Sequence, residues 1–468
     1  MKGAFVNRTA QAYLVEWKQR DRRKPLVVRG ARQVGKSYLV EDFAKREFST
    51  RLTINAEQDR LFLRRIVHES SARMLQLMEL EYGRRLIPGE SLIFFDEIQA
   101  MPELFARLRY FYEEIPELHM IAAGSLLDFI LEEHSFSMPV GRIEHLHLGP
   151  MTFGEFLDAT GNERWNRFLS AFGIRDQMPD SAHETLSRLL RTFLALGGMP
   201  EAVETYARTH SLLEADRIKE TILGTLRDDF AMYGRKVNHE RLLNVFDRLP
   251  SLVGRKFKYA HVSRDESARE IGRCVHLLEL ARLVYRVRRS TCSGLPLGAD
   301  ARDDAFKALF LDVGLLLRAC GLGAGAVERE PDLMVVNAGA IAEQFVGQHL
   351  LYARPCWESP ELFYWAREKP TSAAEVDYVI ARGRQIVPVE VKAGKTGTLR
   401  SLWQFVVEKK ADLALRFNTD KPSLLDAADT MHDGTRISYR LLSLPLYLVD
   451  HANRLTDECG SSSFRGGS

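Results

Sequence analysis

The chain has 468 residues, and its hydrophobic (45%) and charged (27%) fractions are those of ordinary globular proteins, which excludes a largely disordered or fibrous chain. Its 65 Lys and Arg against 63 Asp and Glu give a net charge of +2, which argues against a strongly basic nucleic-acid-packing protein and leaves local patches open. At roughly 150 residues per domain the length predicts about three domains, while 5 scattered cysteines and the lack of any run of ~18 apolar residues favour a soluble, cytoplasmic protein with no membrane partner.

The first third of the chain alternates between strand and helix patterns. Buried strands are predicted where short apolar runs follow turn signals, and helices where apolar residues recur every three to four positions. In chain order the predicted elements are a helix at 7–20, a strand at 26–28, a helix near 36–47, and strands at 52–54, 92–95 and 120–123. Strands alternating with helices imply right-handed crossovers and a mainly parallel sheet.

The first strand runs directly into a glycine-containing loop that matches GxxxxGK[ST] with nothing inserted. Such a loop wraps phosphate oxygens with backbone N–H groups, its lysine reaches the β and γ phosphates, and its hydroxyl residue binds Mg²⁺. The sequence therefore predicts an ATP site with Mg²⁺, formed by Gly30, Ala31, Arg32, Gln33, Val34, Gly35, Lys36 and Ser37.

Two further motifs follow at the ends of later strands. Asp96 and Glu97 follow four apolar residues, so we expect Asp96 to hold Mg²⁺ and Glu97 to activate the attacking water. Ser125, after the next strand, touches either the γ phosphate or the first turn of a helix as its N-cap. Arg142 is either a finger that completes the site of a neighbouring subunit in a homo-oligomer, or an ordinary surface arginine.

Beyond these motifs the pattern changes. Residues 154–235 are helical in pattern, interrupted by Gly-Gly-Met-Pro at 197–200, and two β-type runs follow at 283–287 and 305–310. After 335 a helix precedes three strand candidates, a second helix and further strands, and the last residues, GSSSFRGGS, predict a flexible tail.

The ordered motifs, followed by LGPMTFGEFL at 148–157 and GGMPEAV at 197–203, resemble a prokaryotic family of AAA-type ATPases whose C-terminal part is domain of unknown function 4143. The resemblance extends to about residue 445. It implies an α/β fold with a P-loop NTPase core, a helical lid, a winged helix and a PD-(D/E)xK nuclease-like C-terminal α/β domain. The expected boundaries are 1–153 for the core, 154–237 for the lid, 238–330 for the winged helix, 331–450 for the nuclease-like domain and 451–468 for the tail.

A basic segment occupies residues 254–290. It contains ten Lys or Arg against four Asp or Glu, a local net charge of +6. A helix followed by a basic two-stranded wing suits the major groove and flanking phosphates of DNA, but a protein-binding winged helix or a solvated charged face remains open. The candidate DNA-binding residues are Arg255, Lys256, Lys258, Arg269 and Arg273.

Carboxylates lie within two successive strand candidates near the C-terminus. Asp377 and Glu390 lie 13 residues apart, and Lys392 shares a strand face with Glu390. With Glu343 on the preceding helix as a further ligand and Gln404 in support, they resemble the D…ExK site of PD-(D/E)xK nucleases, where Lys392 would assist cleavage at a Mg²⁺ or Mn²⁺ ion. The alternative is an inherited scaffold whose carboxylates form salt bridges with Lys392 and Arg382.

Two functional hypotheses follow. One is an ATP-hydrolysing AAA-type ATPase coupled to a DNA-binding, DNA-cleaving C-terminal region. The other is a nucleotide-dependent switch whose inactive nuclease-like domain binds DNA or protein.

Overall fold

A computed structural model describes residues 8–133, 141–233, 237–323, 338–369, 372–392, 399–430 and 436–461. Its N-terminal part is a five-stranded sheet in the order β2-β3-β4-β1-β5, and every strand pair in it is parallel. This confirms the parallel sheet predicted from the alternating pattern. The strands are β1 (Leu26–Arg29), β2 (Thr50–Asn55), β3 (Ser91–Asp96), β4 (His119–Gly124) and β5 (Glu144–His147).

Helices cover both faces of this sheet, because successive side chains of a strand point to opposite faces. Leu26 and Val28 of β1 join one buried cluster, while Val27 joins the other. The helices are α1 (Ala10–Gln19), α2 (Lys36–Glu47), α3 (Arg60–Ile66), α4 (Ser71–Tyr82), α5 (Pro102–Glu114) and α6 (Leu127–Glu133), with a short 3₁₀ helix at Ile98–Ala100.

A helical region follows the core, as the sequence predicts. It comprises α7 (Phe153–Ala159), α8 (Glu163–Ala171), α9 (Asp180–Leu196), α10 (Pro200–Thr209) and α11 (Leu212–Tyr233). The middle segment then contains α12 (His239–Arg248), α13 (Tyr259–Val262), α14 (Ala268–Leu280), β6 (Val284–Arg289), β7 (Arg302–Phe310) and α15 (Val313–Ala319), with 3₁₀ helices at Leu249–Leu252 and Leu297–Asp300.

The C-terminal part is built on a mixed eight-stranded sheet in the order β12-β13-β11-β10-β9-β8-β6-β7. The β6–β7 hairpin of the middle segment is part of this sheet, so the sheet crosses the boundary expected at 330/331. The joint between β6 and β8 is only two residue pairs long. The remaining elements are α16 (Ala338–Tyr352), β8 (Phe363–Lys369), β9 (Ser372–Arg382), β10 (Gln385–Val391), α17 (Arg400–Lys409), β11 (Leu413–Asn418), β12 (Ser423–Thr430), β13 (Arg436–Pro445), a 3₁₀ helix at Leu446–His451 and α18 (Ala452–Ser461).

The expected tail at 451–468 needs correction. Residues 452–461 form α18, whose Ala452, Leu455 and Cys459 are buried. These three residues are spaced three and four apart and therefore lie on one helix face, which packs into the main core. The final seven residues lie outside the described part of the chain.

No helix within the described ranges is long and apolar enough to cross a membrane.

Candidate functional site

The loop between β1 and α2 has the backbone that a phosphate-binding loop needs. Gly35 adopts a φ of 90°, where other residues are strained, and α2 begins at the next residue, Lys36. A Cβ on Gly30 would lie 2.2 Å from the carbonyl oxygen of Leu148, so only glycine fits there. Both glycines of the motif are thus required by local geometry.

Lys36 is buried beneath this loop without a carboxylate partner in the described residues. Its ammonium donates to the carbonyl oxygens of Gly30 (3.1 Å) and Ala31 (2.8 Å). Burial lowers its pKa to about 8, with Glu97 and Asp96 opposing the shift from nearby. A buried cation held only by backbone carbonyls is suited to an incoming anion.

The candidate Mg²⁺ ligands lie together at the carboxyl edge of the sheet. The side chain of Ser37 hydrogen-bonds Asp96, and burial raises the pKa of Asp96 while this hydrogen bond opposes the shift. Hydroxyl and carboxylate oxygens are the ligand type that Mg²⁺ prefers, so the residues present fit the ion.

Glu97 follows Asp96 in a strained conformation. Its φ of 49° and ψ of 42° are left-handed, which costs a non-glycine residue on the order of 1–3 kcal/mol. Its carboxylate accepts a hydrogen bond from the side-chain amide of Gln99. Sequence reasoning missed Gln99, which lies two residues after Glu97 in a 3₁₀ turn and carries no motif of its own.

Ser125 lies between the phosphate loop and the Asp96-Glu97 pair. It directly follows β4, and β4 separates β1 from β3 in the sheet. Its side chain is buried, and its hydroxyl has no hydrogen-bond partner among the described residues. The N-cap alternative therefore finds no supporting bond there, and the hydroxyl is available to a ligand.

Arg142 is far from the phosphate loop of its own chain. It precedes β5, whose Glu144 pairs with the start of β1 and whose His147 pairs with the end of β1. Arg142 thus lies at the amino edge of the sheet, opposite the loop, where it binds the Glu113 carboxylate (2.9 Å). A contribution to a site on another subunit remains a prediction.

Arg8 and Glu155 brace the phosphate loop, and the sequence analysis missed both. The guanidinium of Arg8 is buried, lies 2.9 Å from Glu155, and donates to the carbonyls of Val34 (2.9 Å) and Gly149 (2.7 Å). Glu155 also closes a capping box with Thr152 at the start of α7. The T-x-x-E pattern at 152–155 could have revealed that cap, but nothing local marks Arg8.

The helical region contacts the loop through α11. Arg32 binds Asp229 with a 2.7 Å ion pair. Burial raises the pKa of Asp229, Arg32 opposes the shift, and Glu97 is close enough to add to it. Asp229 therefore lies beside both the loop and the candidate base.

A second route leads from the loop towards the C-terminal domain. A Cβ on Gly35 would lie 3.4 Å from Pro200, and the neighbouring amide of Gly198 donates to buried Asp312 (2.7 Å). Asp312 accepts in turn from Gln348 of α16, and burial raises its pKa, with the Gly198 hydrogen bond opposing. The Gly-Gly-Met-Pro turn thus joins the loop to α16.

The basic segment is partly neutralised. Arg282 pairs with Asp128 (2.8 Å) and Arg286 with Glu279, so both serve internal contacts. Arg269 and Arg273 are exposed on α14, and Arg273 lies 2.9 Å from Glu270. The members that are exposed and form no ion pair with another described residue are Arg255, Lys258, Arg264 and Arg269.

The predicted C-terminal carboxylates do converge. Val389 of β10 pairs with Tyr378 of β9, so the next residues, Glu390 and Asp377, lie close together, and the Oδ2 of Asp377 accepts the amide of Val391 (2.8 Å). Burial raises the pKa of Glu390 to about 7, with Asp377 adding to the shift, and Lys392 lies 2.6 Å from its Oε1. The other oxygen of Glu390 has no hydrogen-bond partner among the described residues.

A second lysine, which the sequence analysis did not assign, lies at the centre of this cluster. The Lys307 ammonium is 2.8 Å from Glu343, 2.7 Å from Glu375 and 3.4 Å from Asp377. Across the described residues, no three His, Cys, Asp or Glu side chains are arranged to hold a metal ion. Arg382 pairs with Asp457 instead, and no hydrogen bond between described residues joins Gln404 to the cluster.

Three family models match the chain. An AAA domain matches residues 22–157, a domain of unknown function (DUF8612) matches 187–326, and a domain of unknown function (DUF4143) matches 338–426. The fold and the first match define the N-terminal part as an AAA-type P-loop ATPase domain. The chain as a whole joins that domain to a C-terminal domain of unknown function 4143, as the sequence resemblance predicts.

Solved structures give weaker likenesses. A Walker-type ATPase of Pyrococcus abyssi is 15% identical over 68% of this chain and 96% of its own, with a TM-score of 0.44. The ORC2 protein of Aeropyrum pernix with ADPNP and ADP is 12% identical over 69% and 95%, with a TM-score of 0.37. These scores are too low to carry a functional argument. No curated protein matches the chain.

Proposed function

We propose that the protein binds and hydrolyses ATP with Mg²⁺ and uses the nucleotide state to rearrange its C-terminal half. The observation that carries this proposal is Lys36, a buried ammonium that lies near two carboxylates yet pairs with neither, at the N-terminus of a helix, where phosphate binding is favoured. Mg²⁺, when bound, would neutralise developing charge on the phosphates. Ser37 and Asp96 would hold it.

Within this proposal Glu97 is the general base. Its carboxylate accepts a hydrogen bond from Gln99 and is close enough to Lys36 to oppose the lowering of the lysine's pKa. Ser125, whose hydroxyl is buried, would orient the γ phosphate or the water. Arg142 would act only across an interface between subunits.

The ATPase assignment is tested by replacing Glu97 with glutamine. Removing a general base lowers turnover by about 10²–10⁴-fold while nucleotide binding persists. The matched control is Glu103→Gln, an exposed acid on the first turn of α5. Steady-state turnover and binding of a fluorescent ATP analogue are the measurements. Unchanged turnover in Glu97→Gln contradicts the assignment of the base.

We further propose that exposed basic residues of the 254–290 segment contact DNA phosphates. The support is that four of its basic side chains are exposed and form no ion pair with another described residue: Arg255, Lys258, Arg264 and Arg269. Each phosphate contact adds about 0.9 to the slope of log affinity against log salt concentration.

The DNA proposal is tested by fluorescence anisotropy with duplex DNA over a range of salt concentrations. The double variant Arg264→Ala/Arg269→Ala should bind more weakly and with a smaller salt slope. The control is Arg64→Ala/Arg65→Ala, which removes two exposed arginines from α3. Equal weakening by both double variants contradicts a specific face.

Coupling between the two halves would follow the contacts described above. The loop passes close to Pro200, the nearby amide of Gly198 donates to Asp312, and Asp312 accepts from Gln348 of α16. A hydrogen-bonded route of this kind could adopt two arrangements, one for each nucleotide state, and could thereby couple the phosphate loop to α16.

A further inference from the structure

The feature at issue is a carboxylate cluster formed by Glu343 and Glu390, which are buried, and by Glu375 and Asp377, which are partly exposed. In nuclease-like folds such acids converge on a divalent ion, whose oxygen ligands lie at about 2.0–2.1 Å for Mg²⁺. Here the centre of three of the four acids holds the ammonium of Lys307. We infer that Lys307 takes the place of the divalent ion, and that the cluster fastens two segments of the chain together instead of cleaving phosphodiesters.

The geometry of Lys307 supports this inference first. An ammonium has three N–H donors, and three carboxylates lie within reach of it. The distances to Glu343 and Glu375, 2.8 and 2.7 Å, are those of charge-assisted hydrogen bonds. Lys307 is only 2% exposed, so water does not replace these partners. The donor capacity of the lysine is fully used.

Charge balance supports it next. Lys256 lies 3.6 Å from Glu375, and Lys392 lies 2.6 Å from Glu390. Three ammonium groups therefore face the four carboxylates of the cluster. Four carboxylates and three ammonium groups sum to a net charge of −1, and a divalent ion added to them would turn it to +1.

The position of Lys307 in the chain shows what the cluster does. Lys307 belongs to β7, 36 residues before Glu343 and 70 before Asp377. The β6–β7 hairpin is joined to the rest of the sheet by only two residue pairs with β8. Gln344 of α16 adds a pair of hydrogen bonds to Phe310 at the end of β7. The Lys307 cluster thus reinforces a narrow joint between the middle segment and the C-terminal domain.

The decisive measurement is the number of Mn²⁺ ions that the full chain binds in the absence of nucleotide. Electron paramagnetic resonance provides the readout. The Asp377→Asn variant isolates the cluster, because any Mn²⁺ at Ser37 and Asp96 is common to both proteins. We expect wild type and Asp377→Asn to bind the same number of ions. We expect Lys307→Met to bind one more ion than Lys307→Met/Asp377→Asn. The control Lys45→Met, which removes an exposed lysine from the last turn of α2, should behave as wild type.

Two results overturn the inference. One is an Mn²⁺ ion in the wild type that Asp377→Asn abolishes, which would show that the metal displaces the lysine. The other is no gain of Mn²⁺ in folded Lys307→Met, which would show that the lysine is not what excludes the metal.

A labelling experiment on the wild type covers the case in which Lys307→Met does not fold. Acetylation of lysine amines, read by mass spectrometry, should leave Lys307 unmodified and modify Lys256, which is 37% exposed. The protection of Lys307 should be the same with and without millimolar Mn²⁺. Labelling of Lys307 that appears only with Mn²⁺ overturns the inference.

Discussion

Two regions of this molecule bring a buried lysine close to carboxylates, and they do so in opposite ways. At the phosphate loop, Lys36 bonds only to the carbonyls of Gly30 and Ala31, while Asp96 and Glu97 stay nearby without an ion pair to it. In the C-terminal domain, Lys307 bonds directly to three carboxylates.

The pKa shifts of the two lysines report this difference. Burial lowers the pKa of Lys36 to about 8, because nearby acids compensate only part of the desolvation. Burial also acts to lower the pKa of Lys307, but Glu343, Asp377 and Glu375 outweigh it and raise the pKa above its ordinary value. The desolvation of Lys36 is only partly offset by nearby acids, so this ammonium is suited to bind an anionic ligand. The desolvation of Lys307 is more than offset by its carboxylate partners, so this ammonium stabilises the fold.

The largest expected effect is on stability at the C-terminal cluster. Lys307→Met leaves buried carboxylates without their counter-charge, and breaking a buried ion pair in this way costs about 3–5 kcal/mol. Lys256→Met removes a longer, partly exposed pair and should cost about 0–1 kcal/mol. Calorimetric unfolding of the two variants is the check. Similar shifts in Tm for the two variants would show that Lys307 is not the central counter-charge of the cluster.

The second prediction concerns Lys36→Met in the nucleotide-free protein. The variant loses two hydrogen bonds but also removes the cost of a buried charge, so its free energy of unfolding at pH 7 should stay within about 1 kcal/mol of wild type. The pH dependence gives a sharper test. The pKa of Lys36 falls from 10.5 to about 8 on folding, so between these values the unfolded state binds more protons and wild-type stability gains as pH rises.

Lys36→Met should lack this gain. The measured quantity is the difference in Tm between wild type and variant from pH 8 to pH 10.5. The Tm of wild type should rise relative to that of Lys36→Met as the pH increases across this window. If it does not, burial of the Lys36 ammonium does not destabilise the folded protein.

The same contrast explains how much of the molecule the sequence could predict. The phosphate site is predictable because its requirements are local: eight contiguous residues supply the loop, and Asp96 with Glu97 ends a four-residue apolar run. The parallel sheet follows from the same short-range alternation. By contrast, Lys307 is a single lysine within the apolar run at 305–310, and its partners lie up to 70 residues away. No local pattern marks it.

The joint between β6 and β8 escaped prediction for a similar reason. Two residue pairs link strands separated by the whole of β7, α15 and α16, and neither strand carries a signal for the other. The helix at 452–461 was also missed, because the composition of the final residues obscured the spacing of Ala452, Leu455 and Cys459. Arg8 and Asp312 act through backbone groups of distant turns, which sequence patterns do not encode.

The smallest expected effect concerns the ion pair between Arg32 and Asp229 beside the phosphate loop. We expect ATP binding to break this pair. Arg32 is partly exposed, whereas Asp229 is buried, and the two are paired at 2.7 Å. Asp229→Asn removes the cost of burying the carboxylate together with the ion pair and leaves Arg32 within reach of water, so the free energy of unfolding should change by about 1 kcal/mol or less. Removing this carboxylate frees Arg32 for the γ phosphate and should raise ATP affinity about 5-fold, with a smaller effect on ADP. Isothermal titration of both nucleotides measures this, with the exposed neighbour Asp228→Asn as control. An equal rise for ATP and ADP would mean that Arg32 does not distinguish the γ phosphate, and that α11 does not respond to hydrolysis through this pair.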